Sequence, residues 1–161
     1  RLFGEDLGHI TERRARRLRR RMGVCGGPLE LDPDLTVADN LALPCQLKGL
    51  SRKQIHSRIE RIAQTMEIEE LLTIKVRRLG FVERRTVSLA RALAHDPELA
   101  LLEAPLVGLP TPLRAILISV LQRLAVTGAA VVVFNEESGE LETGAPDNVG
   151  NDTGDMDIFS E

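Results

Sequence analysis

The 161-residue chain contains no Trp and no Tyr, and aromatic residues make up 2% of it. Stacking of unpaired bases on aromatic rings therefore has few platforms, which removes the main route to single-stranded nucleic-acid binding. Two cysteines, Cys25 and Cys45, lack any CxxC or Cys/His spacing. They make a poor disulfide framework or zinc site and fit two buried free thiols. No run approaches the ~18 apolar residues of a transmembrane helix, and no signal-peptide pattern opens the chain. Basic residues are missing from one end: residues 136–161 hold nine Asp and Glu and no Lys or Arg. The remaining 21 basic against 15 acidic side chains give a body of net charge about +6, concealed by a formal total of −3. The chain opens on Arg rather than Met, so an N-terminal part is expected to be missing, and a cytoplasmic location is expected.

What is present alternates helix with apolar strand. "TERRARRLRRRMGVC" places Thr11 as a helix N-cap ahead of a short strand at Met22–Cys25. The arginine run reads either as a nucleic-acid arm or as a solvated helix face, and the lack of interleaved aromatics favours the face. Thr36 can cap "VADNLALPCQLKG", with Pro44 inside and Gly49 at its end, and Ser51 opens a helix in which Ile55, Ile59, Ile62 and Met66 recur at helical spacing. A helix over roughly 84–94, a break at Asp96-Pro97, a strand through Leu102, a helix capped by Thr111 and closed near Gly128, and the strand "AAVVVFN" follow. Such alternation predicts an α/β fold with parallel neighbours. Ile55, Ile59, Ile62, Leu89, Leu93, Leu99, Leu101, Leu102, Ile116, Leu117, Leu121 and Val131–Val133 are the predicted core. From 137 the sequence is polar, acidic and Gly-rich and is expected to be disordered; its last residues, "MDIFSE", read as a short docking peptide or as a solvated end.

The order of these parts resembles the nucleotide-binding domain of ATP-binding cassette (ABC) transporters. "LRRRMGVCGGPLELDPDLTVADNLALPCQLKGLSRKQI" is similar to the Q-loop region and helical subdomain, in the manner of small bacterial lipid, lipoprotein or cell-division cassettes, and "RRTVSLARALAHDPELALLEAP" to the helix after the signature motif and the Walker B strand. The resemblance implies a partial P-loop NTPase core with parallel strands over 1–136, a helical subdomain at about 36–78, no first strand or P-loop, and an acidic tail at 137–161. A core of that kind would leave apolar sheet and helix surface to be covered by something else.

At the positions that carry the family's chemistry the resemblance fails. No GxxxxGK[ST] loop occurs. The Q-loop glutamine falls at Gly27, which offers neither amide nor ligand oxygen. The signature motif becomes Leu79 to Glu83: Gly80 stands for its serine, Phe81 and Val82 for its glycines, and Glu83 adds negative charge where the family meets a phosphate. In the Walker B triplet Glu103 keeps a carboxylate, but Ala104 replaces the proposed general base, a loss worth about 10²- to 10⁴-fold in rate. Pro110 replaces the D-loop aspartate, and Asn135 falls at the switch histidine. The resemblance therefore implies a degenerate, non-catalytic cassette subunit that binds no cofactor where its family uses ATP and Mg²⁺, and no site metal is expected. Its implied role is structural or regulatory, in a complex with a transmembrane permease subunit and possibly a second, active cassette ATPase, on the cytoplasmic side of the membrane. By the same resemblance Pro28, Leu29, Leu31, Leu35, Leu41 and Leu43 border the groove that receives the permease. Two alternatives stand beside this: a truncated ABC ATP-binding protein whose missing part binds ATP, and a basic nucleic-acid-binding module resting on Arg13 to Arg21.

Overall fold

A computed structural model describes residues 2–26, 31–135 and 140–144. The N-terminal segment turns at Phe3-Gly4, where Leu2 and Glu5 bridge, and leads into α1 (Glu12–Arg19). Thr11 caps α1 as predicted, its side chain accepting from the Arg14 N–H. Strand β1 (Met22–Cys25) follows, then α2 (Val37–Lys48) and α3 (Arg52–Thr65). Both helices open on reciprocal capping boxes, Thr36 with Asp39 and Ser51 with Gln54, so each helix start has side-chain partners for its first backbone donors. Gly49 ends α2 at φ 88°, a left-handed conformation that disfavours any residue with a Cβ. Between α3 and α4 (Phe81–Leu93) lie two 3-10 turns, Glu69–Leu71 and Val76–Arg78. Strand β2 (Leu99–Glu103), α5 (Thr111–Val126), β3 (Ala130–Asn135) and β4 (Glu140–Gly144) complete the described chain.

The sheet runs in the order β1-β2-β3-β4, with the first three strands parallel and β4 antiparallel to β3. Glycine at position 23 lets β1 and α4 approach: a Cβ there would lie 2.0 Å from the Ala92 carbonyl oxygen. Alternate residues on the other side, the row Val24–Leu101–Val132, lie in register across three strands and are only partly covered, Val24 being 53% exposed. Leu101 and Val132, expected in the core, are for that reason half-buried, as are Ile55 and Ile116. The other predicted core residues are buried.

The α2–α3 region closes on itself. Val37 and Ala38 donate backbone N–H groups to the Ile74 and Leu72 carbonyls, and Val76 donates to Leu35. Asn40, fully buried, ties the preceding loop to α2: its amide donates to the Asp32 and Thr36 carbonyls and accepts from the Asp32 N–H at 2.8 Å. Lys48 reaches from the end of α2 to the His95 and Asp96 carbonyls, at 2.7 and 2.8 Å.

Three boundaries differ from expectation. Helix α4 starts at Phe81 rather than near 84, because the Glu83 carboxylate supplies its N-terminal partner. Pro110, not Thr111, occupies the N-cap of α5 and Thr111 is its first helical residue. The expected disorder from 137 does not extend to Glu140–Gly144, which pairs with β3 as β4. The rest of that stretch, including "MDIFSE", lies outside the described residues. Cys25 in β1 and Cys45 in α2 are buried thiols outside any disulfide, and burial raises the Cys45 thiol above its ordinary pKa.

Candidate functional site

Strand β2 carries Glu103 to its exit, and the chain then turns through Ala104 at φ 42°. A left-handed alanine costs about 1–2 kcal/mol, and three hydrogen bonds offset it. The Ala104 N–H donates to the Phe134 carbonyl of β3 at 2.7 Å, and its own carbonyl accepts from the Val107 N–H at 3.1 Å. The third comes from Arg85 of α4, whose guanidinium donates to the carbonyls of both Glu103 and Ala104. Arg85 was not singled out from sequence because it reads there as one more arginine on a helix. Its neighbour in space becomes evident only when α4 lies against the end of β2.

The Glu103 carboxylate is crowded against the end of β1. A Cβ built on Gly26 would lie 2.3 Å from Glu103 Oε2, so the close approach of this carboxylate to the end of β1 requires glycine at 26. Gly27, Pro28 and Leu29 lie outside the described residues. Asn135, the last residue of β3, follows Phe134, the register partner of Glu103, so the backbones of Ala104 and Asn135 meet at adjacent strand ends.

At the N-terminus of α4 the arrangement is unfavourable to anions. Four N-terminal N–H groups and the helix dipole ordinarily make such a terminus a seat for phosphate. Here Glu83 Oε2 accepts from the Gly80 N–H at 2.7 Å, so a carboxylate from the same helix takes one of these donors and adds negative charge at the terminus. Phe81, 68% exposed, lays its ring against Gly108: a Cβ on Gly108 would lie 2.6 Å from the ring edge. Val82 packs against the core. Beside them a hollow of about 320 Å³ is lined by Glu67, Glu69, Glu70 and Glu83 together with Val82 and Thr86. The carboxylates around it oppose any second negative charge. Pro110 starts α5, and Arg114 fixes the preceding turn by donating to the Leu109 carbonyl at 2.8 Å.

Among the described residues no three His, Cys, Asp or Glu side chains come together as a metal site. The carboxylates at these positions are Glu103, close to the end of β1, and Glu83, which accepts from the Gly80 N–H.

The sequence-predicted docking leucines divide. Leu31, Leu35 and Leu43 are half-buried and adjoin α2 or its leading loop. Leu41 is fully buried in the core beneath α2 and cannot line a groove, because it points to the packed side of the helix with Val37 and Cys45. No helix among the described residues is long and apolar enough to cross a membrane.

The chain matches the family model for ABC transporters over residues 2–107. It is 31% identical over 137 residues to the Nod factor export ATP-binding protein I of Burkholderia lata, covering 83% of this chain and 45% of that protein. Over 94 residues it is 35% identical to a trehalose/maltose import ATP-binding protein of Thermococcus litoralis, covering 58% of this chain and 25% of that one. The chain thus spans about half the length of the curated relatives that match it best along its own length. Its fold is similar to an ATP-binding cassette solved as a dimer in a post-hydrolysis state with ADP and Pi, at a TM-score of 0.71 and 24% identity, covering 79% of this chain and 57% of that one. It is also similar to the ATP-binding subunit of an ABC transporter, at a TM-score of 0.69 and 19% identity, covering 74% and 50%.

Proposed function

This chain belongs to the ABC transporter family, and we propose that it is a cassette subunit without nucleotide chemistry, serving as a structural or regulatory partner of a membrane transport complex. The observation that carries the reading is the N-terminus of α4, where Glu83 accepts from the Gly80 N–H at 2.7 Å and sets a negative charge against any anion there. Ala104 supports it from the other side of the reaction, since its methyl group cannot activate a water molecule. Phosphoryl transfer depends on positioned cations, donors and a water-orienting group, and the described positions supply carboxylates, bulk and a left-handed alanine instead.

In this reading the chain binds neither ATP nor Mg²⁺ and sits at the cytoplasmic face of a membrane through a permease subunit. Leu31, Leu35 and Leu43 offer that partner the half-buried edge of α2 and its leading loop. A second, active cassette ATPase would then perform any hydrolysis in the complex. Steady-state ATPase measurements on the protein expressed from its complete gene test this. The expected result is no turnover above background, with Ala104→Glu creating none. Turnover that depends on a phosphate loop encoded ahead of Arg1 would establish instead the reading as part of a working ATP-binding protein. For the partner surface, Leu43→Asp is expected to abolish co-purification with a permease-type membrane protein, and unchanged recovery would rule that surface out.

A further inference from the structure

A second cleft, of about 490 Å³, lies away from these positions and wraps around the outer edge of β1. Gly23, which faces α4, and Val24, which faces the opposite side, both line it. Its rim carries Arg16, Arg19 and Arg20 from α1 and its end, and Arg91 from α4, and among the described residues no acidic side chain lines it. Glu12 takes part of this charge, accepting from Arg16 at 3.0 Å and from Arg19 at 3.2 Å. The floor is apolar: Met22, Val24, Pro44 and Leu47, with Leu47 62% exposed. His95, 3% exposed, also lines the cleft, and its Nδ1 has no hydrogen-bond partner. Burial holds its pKa down at about 4, so the ring is neutral at pH 7. With Nε2 directed to the Met22 carbonyl at 3.1 Å, Nδ1 is left as an acceptor. The cleft therefore asks for an occupant with several negative charges and interspersed apolar side chains.

One segment of this chain has that chemistry. Residues 145–161 carry Asp147, Asp152, Asp155, Asp157 and Glu161 and no basic residue, and the run "DMDIFSE" alternates acids with Met156, Ile158 and Phe159. The register of the sheet puts the cleft within its reach. Gly144 pairs with Val131, Val131 with Ala100, and Ala100 with Gly23. Gly144 thus stands in the same row as a residue lining the cleft, three strand spacings or about 14 Å away. It stands at the end of the sheet where the parallel strands begin. Seventeen further residues span at most about 55–60 Å when extended, several times what is needed.

We propose that the acidic segment 145–161 docks in the arginine-lined cleft at the edge of β1, with its carboxylates on Arg16, Arg19 and Arg20 and Ile158 and Phe159 against Met22, Val24 and Leu47. This self-docking does not depend on the absence of nucleotide chemistry, and it stands or falls separately from that reading.

The lack of Trp and Tyr makes the test direct, because Phe159→Trp is a unique fluorophore in the full chain. The expected result is blue-shifted emission and severalfold weaker quenching by acrylamide than for the same Trp in a free peptide of residues 145–161. Protection should be lost in the Arg16→Glu, Arg19→Glu, Arg20→Glu triple variant, and at about 1 M salt, where the screening length is about 3 Å. Circular dichroism establishes that the triple variant is folded; should it be unfolded, Leu47→Asp, an exposed site on α2, serves in its place with the same expected loss. Solvent-like emission in the unaltered background, or protection unchanged by the charge reversal and by Leu47→Asp, overturns the proposal. Protection that grows with protein concentration also overturns it, since it assigns the cleft to the tail of a second copy.

Discussion

Single residues hold the strand exits in place by hydrogen bonding as much as by packing. Arg85 serves two carbonyls at the end of β2, one belonging to a left-handed alanine. Arg85→Ala is expected to destabilise the fold by about 1.5–3 kcal/mol, the range for lost hydrogen bonds to a charged group, read as a lower urea midpoint at unchanged slope. His95 sets a pH dependence. Its folded pKa of about 4 lies below the ordinary 6.5, with burial as the largest cause and the Lys48 charge next. The unfolded chain therefore binds more protons between those values, and stability falls as pH falls through that window, by about 3 kcal/mol in total. Urea midpoints at pH 7, 5.5 and 4 should decline in that order, and His95→Gln should flatten the decline. A midpoint that rises toward pH 4 would contradict the assignment. Neither residue was legible beforehand. Arg85 and His95 acquire their roles from partners on β2 and β1, and nothing in a single sequence says which carbonyl a side chain will find.

Elements were far more legible, for a physical reason. Capping boxes, a left-handed glycine and apolar periodicity are local signals, and Thr11, Thr36, Ser51 and Gly49 act as those signals predict. Helix α4 begins early because its N-terminal signal is not a Ser or Thr but the returning carboxylate of Glu83, a residue the sequence marks only as a charge where the family meets a phosphate. That capping contact is worth about 0.5–2 kcal/mol, so Glu83→Ala should lower the thermal midpoint by a few degrees. Leu41 was misplaced because its helical face could not be assigned without knowing which side of α2 meets α4. Close approach between elements gives a sharper prediction. Gly23→Ala drives a Cβ into the Ala92 carbonyl, a backbone atom with no rotamer to yield. The expected loss is about 1–3 kcal/mol, the usual range for overpacking, and an unchanged unfolding midpoint would contradict the packing of α4 on β1.

On the scale of the molecule, the match to the family rests on the fold. Residues 2–107 match the ABC transporter family model, and the same span contains Glu83 at a helix terminus, the exposed Phe81 and Ala104 at a strand exit. The order of helices and strands was readable because apolar residues keep their spacing wherever a core must be buried. The acidic C-terminal stretch was readable only as composition, and its strand β4 was missed because "ELETG" has little of the β-branched, alternating character that marks a strand.

The proposal that this chain holds no nucleotide is tested most directly by equilibrium binding of labelled Mg²⁺–ATP to the full chain. The account predicts no saturable binding up to millimolar concentration, with the same result for Glu83→Gln. Saturable, Mg²⁺-dependent binding in the micromolar range would contradict it.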